Sequence, residues 1–156
     1  LLNPLGFRIT EAHIRKGLKN ITSFTGFKGR WQILNQKPLT ICDTGHNEDG
    51  IKQIVAQLKS LNAPQVHMVF GMVKDKDITK VLALLPQDYK YYFCQASLPR
   101  ALPAAELKTL AEDYKLHGAY YPDVNTAIRS AWQSAAENDI IFVGGSTFVV
   151  AEIENL

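Results

Sequence analysis

The sequence predicts an α/β domain built on a mostly parallel sheet. Two patterns carry this reading. Short segments rich in β-branched and aromatic residues recur along the chain, and amphipathic helical stretches separate them. The composition agrees: 46% hydrophobic and 21% charged residues are close to the averages of a globular domain. Those values exclude a disordered tail, a collagen or a coiled coil. A length of 156 residues fits one domain. A chain of this size buries roughly 70% of its unfolded surface, enough for a sizeable core.

Each element follows from local pattern. Thr10 is placed to cap a short helix ending near Asn20. Its Ile14, Leu18 and Ile21 make only a thin apolar stripe, as though the main packing partner lay elsewhere. The stretch from Thr22 to Arg30 reads as a polar, glycine-punctuated linker. Trp31–Leu34 and Leu39–Cys42 are strand candidates joined as a hairpin through Asn35, Gln36, Lys37 and Pro38. A helix then sets Ile51, Ile54, Val55, Leu58 and Leu61 on one face. Val66–Phe70 is a strand ending at Gly71, followed by a helix with Ile78, Val81, Leu82 and Leu85 in register. Tyr91–Cys94 is the next strand, and Leu107, Leu110, Ala111 and Tyr114 mark the next helix. Ala119–Tyr121 is a short strand. Asp123 can cap a helix carrying Val124, Ala127, Ile128, Ala131 and Trp132. Ile140–Val143 is the last strand, and Ser146 caps a closing apolar helix. Parallel strands need crossover connections, which these helices supply. The expected architecture is therefore three-layered and Rossmann-like. It has about six strands, one antiparallel edge strand from the opening hairpin, and helices on both faces.

Charge and cysteine usage narrow the function. Seventeen basic residues against fifteen acidic give a net +2, which makes no electrostatic case for nucleic acid or an anionic membrane. Uninterrupted apolar runs are a few residues long, far short of the ~20 that a membrane span needs. Cys42 and Cys94 sit inside apolar segments, so the pattern reads as a reduced, cytosolic domain with inert thiols. The histidines, His13, His46, His67 and His117, are scattered over different elements, and neither cysteine has C-x-x-C spacing; no metal site is expected. There is no G-x-x-x-x-G-K-[ST], and no G-x-G-x-x-G follows a strand. The chain opens on Leu1 rather than methionine, as though cut from something longer.

In open α/β sheets, ligands collect beyond the carboxyl ends of the strands, near a switch in strand order. Those ends are Asp43–Asn47, Gly71–Asp77, Gln95–Arg100, Pro122–Asp123 and Gly144–Thr147. The first is the most informative. Asp43 follows an apolar strand, so its carboxylate stands at the sheet rim, where it is either a turn residue or an acceptor for ribose hydroxyls. His46 is either an exposed loop histidine or a donor, acceptor or proton carrier near neutral pH. Gly144–Ser146 opens a helix, as a plain capped turn or as an anion-binding one.

The order of these motifs resembles a known family. Phe27-Lys28-Gly29-Arg30-Trp31-Gln32 comes first, then Asp43-Thr44-Gly45-His46-Asn47. Val69-Phe70-Gly71 leads on to Asp75-Lys76-Asp77, followed by Pro99-Arg100-Ala101. Gly144-Gly145-Ser146 then runs on to Val150-Ala151-Glu152. The series is similar to the carboxyl-terminal domain of folylpolyglutamate synthase/dihydrofolate synthase, in the Mur ligase superfamily. Residues 27–156 would be that domain, and residues 1–26 the remnant of a preceding domain and its linker. The chain departs from the family's usual pattern at two places. It has Phe27-Lys28-Gly29-Arg30 for W-P-[GA]-R, and D-T-G-H-N-E for D-G-A-H-N-P.

What the resemblance implies is an ATP-dependent amide ligase joining L-glutamate to a folate or to dihydropteroate through an acyl phosphate. The phosphate loop and the principal Mg2+ ligands would belong to an amino-terminal ATPase domain, over whose nucleotide this domain closes. By the same likeness, Arg30, Asp43 and Asn47 would serve the nucleotide, Arg30 at its phosphates and Asp43 at the ribose. His46 would lie at the reacting centre. Lys76, Arg100 and Ser146 would serve charge or glutamate-carboxylate binding. The fragment alone should fold without ligating. Two rivals remain at this point: the equivalent domain of another Mur-type amino-acid ligase, and a non-catalytic nucleotide-binding or interaction module.

Overall fold

The computed structural model describes residues 3–74, 77–154 and 156. Its strands are β1 (Gln32–Gln36), β2 (Leu39–Asp43), β3 (Val66–Phe70), β4 (Lys90–Phe93), β5 (Gly118–Tyr120) and β6 (Ile140–Gly144). The helices are α1 (Glu11–Lys19), α2 (Ile21–Thr25), α3 (Glu48–Ser60) and α4 (Ile78–Leu82), then α5 (Ala104–Glu112), α6 (Val124–Ser134) and α7 (Thr147–Ala151). One six-stranded sheet runs in the order β1-β2-β6-β3-β4-β5. Among the described strands, only β1 and β2 pair antiparallel; the other ladders between strands are parallel. The architecture expected from the sequence is the one observed.

Alternation along the buried strands divides the core in two. Met68 and Phe70 of β3, Tyr91 and Phe93 of β4, and Phe142 of β6 pack with Ile51, Ile54 and Leu58 of α3 and Leu107 of α5. Their neighbours Val69, Tyr92, Ile141 and Val143 face the other way, onto Val124, Ala127 and Ala131 of α6 and Val149 and Val150 of α7. The last strand in sequence, β6, lies between β2 and β3. Its Gly144 pairs with Asp43 on one side and Phe70 on the other, so three carboxyl ends stand level.

Several local details differ from the sequence reading. Residues 22–25, read as the start of the linker, are helical, as is the rest of α2. Its polar side chains fold back onto the backbone: Thr25 Oγ1 donates to the Ile21 carbonyl at 2.6 Å, and Ser23 Oγ to that of Asn20 at 3.0 Å. Leu61 is 44% exposed, because α3 ends at Ser60 before the next turn could bring it to the core. Trp31 stands outside β1 with a left-handed φ of 45°, and β1 instead runs on to Gln36. Trp132 is half-exposed, but its Nε1 donates to Thr40 Oγ1 at 3.0 Å. The thin stripe on α1 is as expected: neither α1 nor α2 has a buried residue, and Ile14 and Leu18 are exposed. No described helix is long and apolar enough to cross a membrane.

Candidate functional site

The site is assembled at the carboxyl edge of β2, β6 and β3. Asp43 closes β2, and its side chain is only 13% exposed. Its Oδ2 accepts from the Trp31 N–H at 2.8 Å, and its Oδ1 from the Gly45 N–H at 2.7 Å. The Thr44 N–H donates to the Gly29 carbonyl at 2.9 Å. Residues 29–31 are thereby strapped across the end of the sheet. Gly29 is suited to that path: its φ is 74°, and a Cβ there would lie 3.0 Å from both Thr44 Cγ2 and Val150 Cγ1. Arg30 leaves the strap with Nη1 donating to Thr44 Oγ1 and 3.8 Å from Asp43 Oδ1. Its side chain is 55% exposed, so the guanidinium still offers donors to the outside.

Beside the strap, His46 lines a pocket of about 90 Å³ with Val73, Arg100, Ser146, Thr147 and Phe148. The His46 Nδ1 lies 2.9 Å from the Thr44 carbonyl oxygen. Arg100 comes from the loop after β4, its guanidinium 5.0 Å from the centre of the Phe148 ring. That loop is tied to the one after β3: the Lys74 N–H donates to the Arg100 carbonyl at 3.0 Å, and the Leu102 N–H to that of Met72 at 2.9 Å. Ser146 caps α7, its Oγ accepting from the Phe148 N–H at 3.2 Å. The turn before it is tight. Gly145 has a φ of 91°, and a Cβ there would fall 2.5 Å from Phe70 Cε2.

The expected residues thus divide into three groups. His46, Arg100 and Ser146, drawn from three different loops, meet at one pocket. Arg30 and Asp43 form the strap next to it. Asn47 caps α3, its Oδ1 accepting from the Gly50 N–H at 2.8 Å. Lys76 lies outside the described residues. Thr44 and Phe148 were missed by sequence reasoning. Phe148 could have been found as the second residue of a helix opening on Ser146; Thr44 carried no signal beyond its place between Asp43 and His46. Among the described residues no three His, Cys, Asp or Glu side chains gather as a metal site would need.

In open α/β sheets, the rim beside an inserted strand, where these polar side chains gather, is where ligands collect. The family model "Mur ligase, glutamate ligase domain" matches residues 29–147, and the chain belongs to that family. The dihydrofolate synthase/folylpolyglutamate synthase of Escherichia coli is 30% identical over 155 residues, covering 97% of this chain and 35% of its own length. The crystal structure of a bifunctional folylpolyglutamate synthase/dihydrofolate synthase from Yersinia pestis, complexed with AMPPNP and Mn ion, is 31% identical with a TM-score of 0.79. It covers 93% of this chain, which spans 34% of that protein. Another structure of such an enzyme, with Mn, AMPPNP and L-glutamate bound, is 31% identical at a TM-score of 0.78, with the same 93% and 34% coverage. The chain spans about a third of the length of these relatives.

Proposed function

We propose that this domain is the carboxyl-terminal part of an ATP-dependent amide ligase, a folylpolyglutamate/dihydrofolate synthase. The observation that carries the reading is the convergence of His46, Arg100 and Ser146 on one pocket beside the strap of Arg30, in a chain of the glutamate ligase domain family. The substrates are ATP, L-glutamate and a folate or dihydropteroate. The γ-phosphoryl group passes to the acceptor carboxylate, leaving ADP and an acyl phosphate. The deprotonated amine of glutamate attacks the acyl carbon, the amide forms, and the C–O bond to phosphate breaks.

Each role follows from what the side chain has to offer. The planar donors of Arg30 suit phosphate oxygens. Asp43 has a lone pair left on each carboxylate oxygen, suited to ribose hydroxyls. A carbonyl can only accept, so the contact with Thr44 puts the proton of neutral His46 on Nδ1 and leaves Nε2 as an acceptor. His46 can then take a proton from the incoming glutamate ammonium. Arg100 suits a glutamate carboxylate. Lys76 would add positive charge near the transferred phosphoryl group, and Ser146 shapes the pocket by capping α7. Asn47 supports the nucleotide loop through its cap on α3. The Mg2+ of the reaction would be held mainly by the amino-terminal ATPase domain, where it would neutralise charge on the phosphates. Residues 1–26 are read as the tail of that domain and its linker, which fits the lack of buried residues in α1 and α2.

The test uses the intact protein. His46→Ala should lower kcat for glutamate addition by about 100-fold or more, as for loss of a general base, with the ATP KM changed by less than about threefold. The present domain alone should show no glutamate-dependent ATP turnover. Unchanged kcat in the His46 variant removes that residue from the reaction. Robust turnover by the isolated domain refutes the division of labour.

A further inference from the structure

Thr44 stands between Arg30 and His46, yet only its carbonyl enters the chemistry described above. It is 8% exposed, and its polar atoms all have partners in the site. Its N–H holds the Gly29 carbonyl at 2.9 Å, its hydroxyl accepts from Arg30 Nη1, and its carbonyl oxygen lies 2.9 Å from His46 Nδ1. Its methyl group packs where Gly29 has no side chain. The position is also one at which this chain departs from the D-G-A-H-N-P pattern, where a glycine would supply no hydroxyl.

We propose that Thr44 is a positioning residue for the ligation reaction: its hydroxyl aims the Arg30 guanidinium at the nucleotide, while its backbone holds the strap and the His46 tautomer. The proposal rests on the nucleotide-binding reading of Arg30. Without the hydroxyl, the nearest anionic partner is Asp43 Oδ1 at 3.8 Å, too far for a hydrogen bond. A side chain 55% exposed then regains its rotamers and must be ordered again whenever nucleotide binds.

The experiment compares Thr44→Val, which removes the hydroxyl at nearly constant shape, with Thr44→Ser, which keeps it, in the intact protein. Thr44→Val should raise the ATP KM about three- to tenfold, the worth of one hydrogen bond to a half-exposed guanidinium, with kcat within about twofold. Thr44→Ser should stay within about twofold of wild type in both constants. In an Arg30→Ala background, adding Thr44→Val should raise the KM by less than about twofold further, because the partner is already gone. Three results overturn the proposal. One is a Thr44→Val enzyme with wild-type constants. Another is a serine variant as impaired as the valine variant, which would assign the effect to methyl packing. The third is a valine effect that multiplies in full on Arg30→Ala. Absence of glutamate-dependent ATP turnover in the intact wild type is a distinct outcome: it overturns the ligase reading and takes the role of Thr44 with it.

Discussion

Replacing Asp43 with alanine tests whether one carboxylate clamps the strap to the sheet. The side chain accepts two backbone N–H bonds, at 2.8 Å from Trp31 and 2.7 Å from Gly45. Hydrogen bonds to a charged group contribute about 1.5–3 kcal/mol each, so the gross loss is about 3–6 kcal/mol. Two effects offset it. Trp31, held at a φ of 45°, can relax out of the left-handed region and recover about 1–2 kcal/mol. The freed N–H groups lie at the rim, where water can reach them. The net expectation is about 2–4 kcal/mol, or roughly 5–15 °C in Tm for a domain of this size. Urea denaturation of the present domain, followed by circular dichroism, measures it, with m unchanged. Asp43→Asn keeps one acceptor and should cost about half as much. An alanine variant within about 0.5 kcal/mol of wild type refutes the clamp.

Two further predictions concern buried groups. His67, buried between the Tyr92 hydroxyl at 2.9 Å and the Asp139 carboxylate at 3.3 Å, has its pKa held below the usual 6.5 by burial, with Asp139 opposing. The unfolded chain then binds a proton that the folded one does not. Stability is complete above 6.5 and falls as the pH drops from there toward the folded value. Denaturation between pH 7.5 and 5.5 should show that slope, and His67→Phe should flatten it; an equal slope in both proteins removes His67 as its source. The thiols should be silent in the native state. Burial and the neighbouring Asp43 charge push Cys42 up to about 11, and burial pushes Cys94 up as well. A thiol reagent at pH 8 should label neither until urea unfolds the chain, and one fast equivalent in the native protein would contradict this.

The layers of the fold were legible in hydrophobic period. Val66–Phe70 could be read because five apolar or buried positions stand between a proline-marked turn and Gly71, and the Asp123 and Ser146 caps because their residue types announce helix starts. Leu61 and residues 22–25 were not legible, since a helix end and a back-bonded polar turn depend on contacts that periodicity does not record. For the site, the loops could be listed but not their meeting. His46, Arg100 and Ser146 share a pocket only because β6 lies between β2 and β3, and nothing in local pattern sets that order. The Asp43–Trp31 bond was hidden for a similar reason: it needs the register of the β1–β2 hairpin.

The placing of β6 also dictates when the sheet can form. On a ribosome, the β1–β2 hairpin and the β3–β4–β5 ladder emerge first, and no strand ladder joins them. Only when Ile140–Gly144 appears can Asp43 and Phe70 both pair with Gly144. The contacts that join the two pieces are therefore among the most distant in sequence, which favours slow folding and leaves two open strand edges exposed during synthesis. For this domain, the stretch from Ile140 onward decides whether the rest becomes one sheet or stays two pieces.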